Sequence, residues 1–323
     1  MTTVVVLSGK GGTGKTSVTA SLAALERRAG RSVVLADADV DASNLPLLLH
    51  PTGTDPQDFV GGELAVVDAE ACSRCGECVK GCRFSAISLP SPKGPARVSP
   101  SMCEGCAVCT IVCPEQAITM TAQVTGRWSV GETRLGPLVF AELSAGGESS
   151  GKLVTRVRQA AAEVSQRSAA PLVLIDGPPG IGCPVIAALS GADLAVMVTE
   201  PTPSARADLE RVLAVAAHFH VRTAAVINKS DLNPELARVL ASELAAKGVA
   251  LFGSLPYDEQ VSACQQHGLC PAECEGSVSE AMSVVHARFS RLLKEIWALK
   301  PTSLPLHVSS FPRPDSSAKE VGS

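Results

Sequence analysis

The stretch 8–17, SGKGGTGKTS, constrains the fold more than any other part of the chain. From Gly9 it satisfies G-x-x-x-x-G-K-[ST], the pattern of a phosphate-binding loop. A strand-like apolar run precedes it and a helical pattern follows it, which is the context in which the pattern marks a site. Successive N–H groups of such a loop, with the helix N-terminus, face an anion. The sequence therefore predicts a nucleotide phosphate site on an α/β sheet.

The pattern gives most positions of this loop an expected role. Lys15 would reach the β- and γ-phosphates of ATP, and the Thr16 hydroxyl would bind Mg²⁺. The rest of the predicted phosphate cradle is formed by Gly9, Gly11, Gly12, Thr13, Gly14 and Ser17. Lys10 is a second positive charge that the pattern does not require.

Apolar runs typical of strands buried on both faces recur along the chain. They lie at 3–8, 32–37, 172–176, 194–200, 223–228 and 249–256. Helical stretches are expected at 14–29, 206–218, 234–247 and 278–299. Strands that alternate with helices predict a doubly wound, mainly parallel α/β sheet of the P-loop type.

Acidic side chains follow two of the predicted strands. Asp37 and Asp39 come after the second strand, and Asp176 ends the third. Asp176 is the expected Mg²⁺ partner of Thr16, Asp39 could orient the attacking water, and Asp37 could support the metal shell. Acidic residues at strand ends also serve as turn formers or helix caps. Asn228, in INKSD, could read a purine edge, or the tetrapeptide could be a plain turn.

Eight of the twelve cysteines form two runs of the spacing C-x₂-C-x₂-C-x₃-C, offset by 31 residues. This is the spacing of bacterial ferredoxins with two [4Fe–4S] clusters, in which the fourth cysteine of each run binds the other cluster. Zinc ribbons use pairs of C-x₂-C instead. The predicted ligands are Cys72, Cys75, Cys78 and Cys113 for cluster one, and Cys103, Cys106, Cys109 and Cys82 for cluster two.

The other four cysteines match no trusted spacing. Cys183 follows Asp176, where a switch segment would respond to the γ-phosphate, or it could be simply a small buried hydrophobic residue. Cys264, Cys270 and Cys274 could form a third metal site, or they could be cysteines at helix ends without a shared role.

The predicted organisation is an ATPase domain interrupted by an α+β ferredoxin module. Residues 1–60 and 126–300 form the ATPase domain, 61–125 the inserted ferredoxin domain, and 301–323 a disordered tail. The net charge of −4 gives no basic surface for nucleic acid. Without a long apolar run or room for a signal peptide before Thr3, no membrane contact and a cytoplasmic location are expected.

KGGTGKT with its early lysine, DADVDASNL and DGPPG resemble the deviant Walker ATPases related to MinD, ParA, the nitrogenase iron protein and the Mrp-type carriers. The cysteine runs, and the stretches 134–154 and 198–211, resemble the branch that contains a ferredoxin domain. This resemblance implies a homodimer or related heterodimer that sandwiches ATP. It also implies that Lys10 reaches the partner's nucleotide, that Asp39 orients water, and that Asp176 is a metal residue of the switch. The tail lacks the amphipathic membrane helix of MinD, and the C-P-x-C pair of Mrp-type carriers is absent.

Three functions fit these features. The first is an ATPase whose nucleotide-driven dimer switch controls electron transfer through two clusters to an unknown redox partner. The second is an ATP-dependent assembly or carrier protein that delivers a metal centre to a metalloprotein client. The third is a ParA-like positioning scaffold with structural clusters.

Overall fold

The computed structural model describes residues 1–91, 93–144 and 149–299, and the predicted tail 301–323 lies outside them. The strands are β1 (Thr2–Ser8), β2 (Val33–Asp37), β3 (Gln57–Val67), β4 (Ile87–Ser88), β5 (Arg97–Val98), β6 (Ile118–Thr133), β7 (Gly136–Leu143), β8 (Leu172–Pro179), β9 (Leu194–Thr199), β10 (Arg222–Ile227) and β11 (Ala250–Ser254). The α-helices are α1 (Lys15–Arg28), α2 (Leu45–Leu49), α3 (Glu77–Gly81), α4 (Val108–Val112), α5 (Ser150–Arg167), α6 (Cys183–Leu189), α7 (Pro203–His218), α8 (Pro234–Ala246), α9 (Gln260–Gln266) and α10 (Ser277–Leu299). Short 3-10 turns lie at Pro100–Met102 and Pro271–Glu273.

A nine-stranded sheet forms the main body, in the order β11-β10-β9-β1-β8-β2-β7-β6-β3. Neighbouring strands from β11 to β7 pair in parallel. The β7–β6 and β6–β3 pairs are antiparallel. The predicted mainly parallel α/β sheet is therefore confirmed, and each of the six predicted apolar runs overlaps a strand of its parallel part.

Sequence reasoning missed the strands and helices between β2 and β8. The predicted strands were identified from continuous apolar runs, which are typical of strands buried on both faces. In β3, exposed and partly buried positions predominate, and β6 has a similarly interrupted pattern. Strands that add to a sheet as an antiparallel edge lose the apolar signal on the face that water reaches.

The parallel strands bury both faces under helices. In β1, Val4 and Val6 belong to the core beneath α1 and α10, while Val5 and Leu7 belong to the core beneath α5, α6 and α7. Successive side chains of a strand point to opposite faces, so an uninterrupted apolar run serves two cores. This arrangement places the ends of β1, β2, β8 and β9 at one edge of the sheet.

The cysteine-rich segment 68–117 connects β3 to β6, which form a long antiparallel hairpin. It has a small core of its own, in which Ala65 and Ile118 from the two strands pack with the buried Cys78 and Cys109. The pairing of β3 with β6 is irregular between Phe59 and Gly62. The predicted domain limits at 61 and 125 thus lie inside the two strands, near this irregularity. The independence of the module stays a prediction.

Within the described residues, no helix is both long and apolar enough to span a lipid bilayer.

A buried carboxylate joins α1 to α10. Glu26 is completely buried and pairs with Arg31. Its Oε1 also lies 2.8 Å from His286 Nε2 and accepts a 2.8 Å hydrogen bond from Ser290 Oγ. Burial by itself would raise the pKa of Glu26, but these partners outweigh it and lower the pKa to about 2. Hydrogen bonds to Arg31, His286 and Ser290 therefore stabilise the negative charge of Glu26.

We predict that Glu26→Gln lowers the free energy of unfolding by about 3 kcal/mol, because Arg31 is left without its charged partner. Urea unfolding at pH 7 measures the difference. Glu210→Gln, which removes the exposed ion pair with Lys247, is the matched control and should change stability by less than about 1 kcal/mol. Because the folded pKa of Glu26 lies below its ordinary value of 4.5, its contribution is complete above pH 4.5 and declines as the pH falls toward 2. Equal effects of the two variants would contradict the assignment.

Candidate functional site

The predicted phosphate loop runs from the end of β1 to the start of α1. Gly14 is the N-cap of α1 with φ of 93°, and no side chain caps the helix. Gly14 has a backbone conformation that favours glycine, and Asn228 lies against its Cα, which leaves no space for a Cβ. The first N–H groups of α1 therefore remain open toward the cavity, as anion binding requires.

The expected phosphate and magnesium ligands are close together. Lys15 is buried, and its Nζ lies 3.9 Å from Asp39 Oδ2. Thr16 Oγ1 donates a 2.5 Å hydrogen bond to Asp176 Oδ2. Burial, followed by the charge of Asp37, raises the pKa of Asp176 well above its ordinary value. The adjacent hydroxyl and carboxylate oxygens are of the kind that Mg²⁺ binds, so these residues fit the predicted cation.

The carboxylate of Asp37 accepts hydrogen bonds from residues that follow it closely in the chain. Its Oδ2 accepts hydrogen bonds of 2.9 Å from Ser43 Oγ and from the N–H groups of Asn44 and Leu45. Its Oδ1 accepts a 3.1 Å hydrogen bond from Asp39 N. Burial raises the pKa of Asp37 to about 6. These contacts give Asp37 a role in shaping the segment that presents Asp39, whereas its predicted support of a metal shell stays a prediction.

Lys10 and Lys229 share one carboxylate that the sequence reasoning did not select. Glu200 Oε2 lies 3.2 Å from Lys10 Nζ, and Glu200 Oε1 accepts a 2.6 Å hydrogen bond from Lys229 Nζ. Burial opposes ionisation of Glu200, but the two lysines lower its pKa overall. Its position directly after β9, a neighbour of β1, was the signal that could have identified it.

Asn228 supports the phosphate loop in this structure. Its Nδ2 donates a 2.8 Å hydrogen bond to the Thr13 carbonyl, and its Oδ1 accepts one of 3.0 Å from Lys229 N. These bonds explain the position of Asn228 without a base, and its predicted contact with a purine stays a prediction.

Two cavities flank the start of α1. The first is lined by the phosphate loop, Asp39 and the Pro178–Pro179 segment. The second lies between Asn228, Tyr257 and α10. Gln265, which was not predicted from the sequence, lines both cavities. Its Nε2 donates a 2.7 Å hydrogen bond to Ser17 Oγ, so it forms a wall shared by the two.

The two cysteine runs occupy two further cavities in the module. The four cysteines of each cavity are, for the first, Cys72, Cys75, Cys78 and Cys113, and for the second, Cys82, Cys103, Cys106 and Cys109. The last cysteine of each run thus lies with the first three of the other run. Ala86 N donates to Cys82 Sγ at 3.3 Å, and Ala117 N donates to Cys113 Sγ at 3.4 Å. Most of the other residues that line the two cavities are apolar.

The described residues contain no group of three or more His, Cys, Asp or Glu side chains close enough to hold a single metal ion. A four-iron cluster differs from a single ion because its inorganic core stands between the cysteine sulfurs and separates them. Four cysteine sulfurs around each cavity are the donor set that a [4Fe–4S] cluster requires, and the presence of the clusters stays a prediction.

The remaining cysteines differ from the expectations. Cys264 and Cys274 form a disulfide, and in this form they cannot bind a metal together with Cys270. Cys270 is buried, and burial raises its pKa to about 12. Cys183 is exposed, so its interpretation as a buried residue is wrong. It lies at the first position of α6, where the helix start faces water.

A phosphate loop at the carboxyl end of a central parallel strand, followed by a buried lysine and by a threonine that is hydrogen-bonded to a buried aspartate, defines a P-loop nucleotide-binding protein. Residues 4–272 match the CobQ/CobB/MinD/ParA nucleotide binding domain, and the chain belongs to this family. It is 30% identical over 290 residues to an uncharacterized protein of Methanocaldococcus jannaschii, covering 90% of this chain and 97% of that protein.

Two more comparisons are narrower. An iron-sulfur cluster carrier protein of the same organism is 41% identical over 64 residues, which are 20% of this chain and 22% of that protein. The cell division ATPase MinD of Pyrococcus furiosus has the same fold, with a TM-score of 0.56 at 18% identity, covering 90% of this chain and 99% of that structure.

We predict that Asn228→Ala weakens Mg–ATP binding about tenfold, because the Thr13 carbonyl loses its donor and the phosphate loop loosens. Titration calorimetry with Mg–ATP and with Mg–tripolyphosphate separates the two roles of Asn228. A residue that supports the loop weakens both ligands, whereas a base reader weakens only ATP. Asn233→Ala removes the N-cap of α8 and is the control: it should cost about 1 kcal/mol of stability and leave both affinities unchanged.

Proposed function

We propose that this protein is an ATPase whose nucleotide-driven dimer switch controls electron transfer through two [4Fe–4S] clusters. The observation that carries the proposal is the presence, in one chain, of a P-loop site and of two cavities lined by four cysteines each. An unknown redox partner would receive or supply the electrons.

ATP would bind with its phosphates at the N-terminus of α1. Lys15 would neutralise the β- and γ-phosphates, and Thr16 and Asp176 would hold Mg²⁺. Their present hydrogen bond keeps both oxygens in place for the cation. Asp39, which the Asp37 contacts position near Lys15, would orient the attacking water.

Lys10 would act on the nucleotide of a second copy of the chain. In the single chain its ammonium is paired with Glu200, and its side chain is one-third exposed. It therefore stands at a surface, where the γ-phosphate of a facing subunit could replace Glu200 as its anionic partner. A positive group supplied in trans at that place stabilises charge that develops on the transferring phosphoryl group.

The cysteine module would hold the clusters, which supply one-electron transfer when bound. Cys82 and Cys113 would each join the two runs, so that neither half of the module completes a site alone. The N–H donors of Ala86 and Ala117 would remove electron density from these two sulfurs, which tunes reduction potential.

A carrier function is the second candidate. It is favoured by the local similarity to an iron-sulfur cluster carrier protein. Clusters that leave the protein for an apo-protein client would support it, whereas clusters that stay bound through repeated reduction and oxidation would support electron transfer.

We predict that anaerobically purified protein holds about eight iron and eight sulfide per chain. Cys113→Ser should alter the spectrum of the cluster bound by the first run, and Cys82→Ser that of the cluster bound by the second. Electron paramagnetic resonance of the reduced variants distinguishes the two sites. Cys183→Ser, which removes an exposed cysteine outside the module, is the control and should retain full iron. Zinc in place of iron would refute the clusters.

We also predict that Lys10→Ala retains ATP binding but loses hydrolysis by a factor of about 10³ or more, as for other trans-acting groups. Asp39→Ala should likewise be inactive. Mixing the two inactive variants should restore activity, because one site of a mixed dimer keeps its own Asp39 and receives Lys10 from the other subunit.

The mixed variants give a different result if Lys10 does not act on the partner's nucleotide. If Lys10 acts within its own chain, every site in the mixed dimer lacks one group and phosphate release stays at background. Mixed dimers must be shown by differential tagging. Background activity in verified mixed dimers contradicts the trans role.

A further inference from the structure

The disulfide between Cys264 and Cys274 joins the end of α9 to the turn Pro271–Glu273. The Cα atoms are 6.3 Å apart, which is a separation that a disulfide spans without backbone movement. Both cysteines are partly exposed, so a small thiol or disulfide can reach them. Cys270 lies between them but is fully buried, which prevents it from competing.

The segment closed by this disulfide lies against the nucleotide cavities. Gln265 directly follows Cys264, lines both cavities and donates to Ser17 Oγ at 2.7 Å. Ser17 is the third residue of α1 and belongs to the predicted phosphate loop. A covalent bond at Cys264 is therefore one residue away from a wall of the site.

The other end of the segment is fixed to the same helix. Ala272 N donates to Ser21 Oγ at 3.2 Å, and the Ala272 carbonyl accepts a 2.8 Å hydrogen bond from Arg28 Nη1. Cys274 comes two residues later. The disulfide thus connects α9 to a turn that is already held on α1, and so limits how far Gln265 can move away from Ser17.

We propose that Cys264 and Cys274 are a reversible thiol–disulfide modification site that controls nucleotide affinity through Gln265. The proposal rests on nucleotide binding at the phosphate loop. Its co-reactant is a low-molecular-weight disulfide, or the corresponding thiol in the reverse direction.

The exchange balances in two steps. The thiolate of one cysteine attacks the small disulfide, forms a mixed disulfide and releases one small thiolate. The second cysteine thiolate attacks the protein sulfur of that mixed disulfide and releases the other small thiolate. The two protons lost by the cysteines protonate the two leaving thiolates. The protein loses two electrons, which the small disulfide gains.

Nucleotide binding is expected to be tighter in the disulfide form. In the dithiol form, the segment 264–274 has more freedom, and Gln265 must be ordered when the nucleotide fills the cavity. Immobilising one such side chain lowers affinity by about twofold to tenfold. This is the change that the oxidation state should produce in the dissociation constant.

The experiment uses the full chain under anaerobic conditions, in glutathione buffers of graded reduced-to-oxidised ratio. Alkylation followed by mass spectrometry reports the thiols of Cys264 and Cys274. Fluorescence titration with a fluorescent ATP analogue reports the dissociation constant at each ratio. Visible absorbance of the iron–sulfur clusters, where they are bound, identifies samples in which the cysteine module has lost or altered them. The dissociation constant should fall by about twofold to tenfold as the two thiols disappear together.

Three variants assign the effect. The double variant Cys264→Ser, Cys274→Ser should bind the analogue as the reduced protein does at every ratio. Gln265→Ala should retain the exchange of the two cysteines, but its affinity should no longer follow it. Cys183→Ser removes another exposed cysteine and should keep the full response.

Two outcomes would overturn the proposal while leaving nucleotide binding intact. In one, both cysteines remain reduced, and are therefore alkylated, at every ratio. In the other, they exchange but the dissociation constant does not change. No binding of the analogue in either state would instead refute nucleotide binding at the phosphate loop, and this inference with it.

Discussion

The hydrogen bond from Thr16 to Asp176 connects the first turn of α1 to the central strand β8, and the candidate site depends on it. Asp176 pairs in register with Asp37 of the neighbouring strand β2, so two buried carboxylates lie side by side at one edge of the sheet. Such a pair is costly to bury unless cations and N–H or O–H donors compensate it. Lys15, Thr16 and the segment after Asp37 provide that compensation, which explains why they converge.

The need to compensate a carboxylate that is largely removed from water also explains the positions of Lys10 and Lys229. Lys10 and Lys229 both pair with Glu200. Two ammonium groups and one carboxylate give this group a net positive charge at the surface of the single chain. That excess suits an anion supplied from outside. Lys10, which the phosphate-loop pattern does not require, thus has a different environment from Lys15, which is buried within its own site.

The cysteine module depends on a different constraint. Its core contains few aliphatic side chains, and two of its buried residues are themselves cysteines. The last cysteine of each run, Cys113 or Cys82, lies with the first three cysteines of the other run, so each cavity draws on both runs. The β3–β6 hairpin connects it to the sheet, so the module and the nucleotide site belong to one continuous sheet structure.

Features that depend on residues close together in the chain could be predicted from the sequence. Continuous apolar runs predicted the parallel strands because both faces are buried, and SGKGGTGKTS predicted the turn from β1 to α1 because glycine permits its backbone conformation. Contacts between residues far apart in the chain depend on how the strands and helices pack. Glu200 reaches Lys10 because β9 lies beside β1. Gln265 of α9 reaches Ser17 because the turn that follows α9 is held on α1. No local pattern encodes which strand ends and loops meet, since strand order and packing depend on the whole chain.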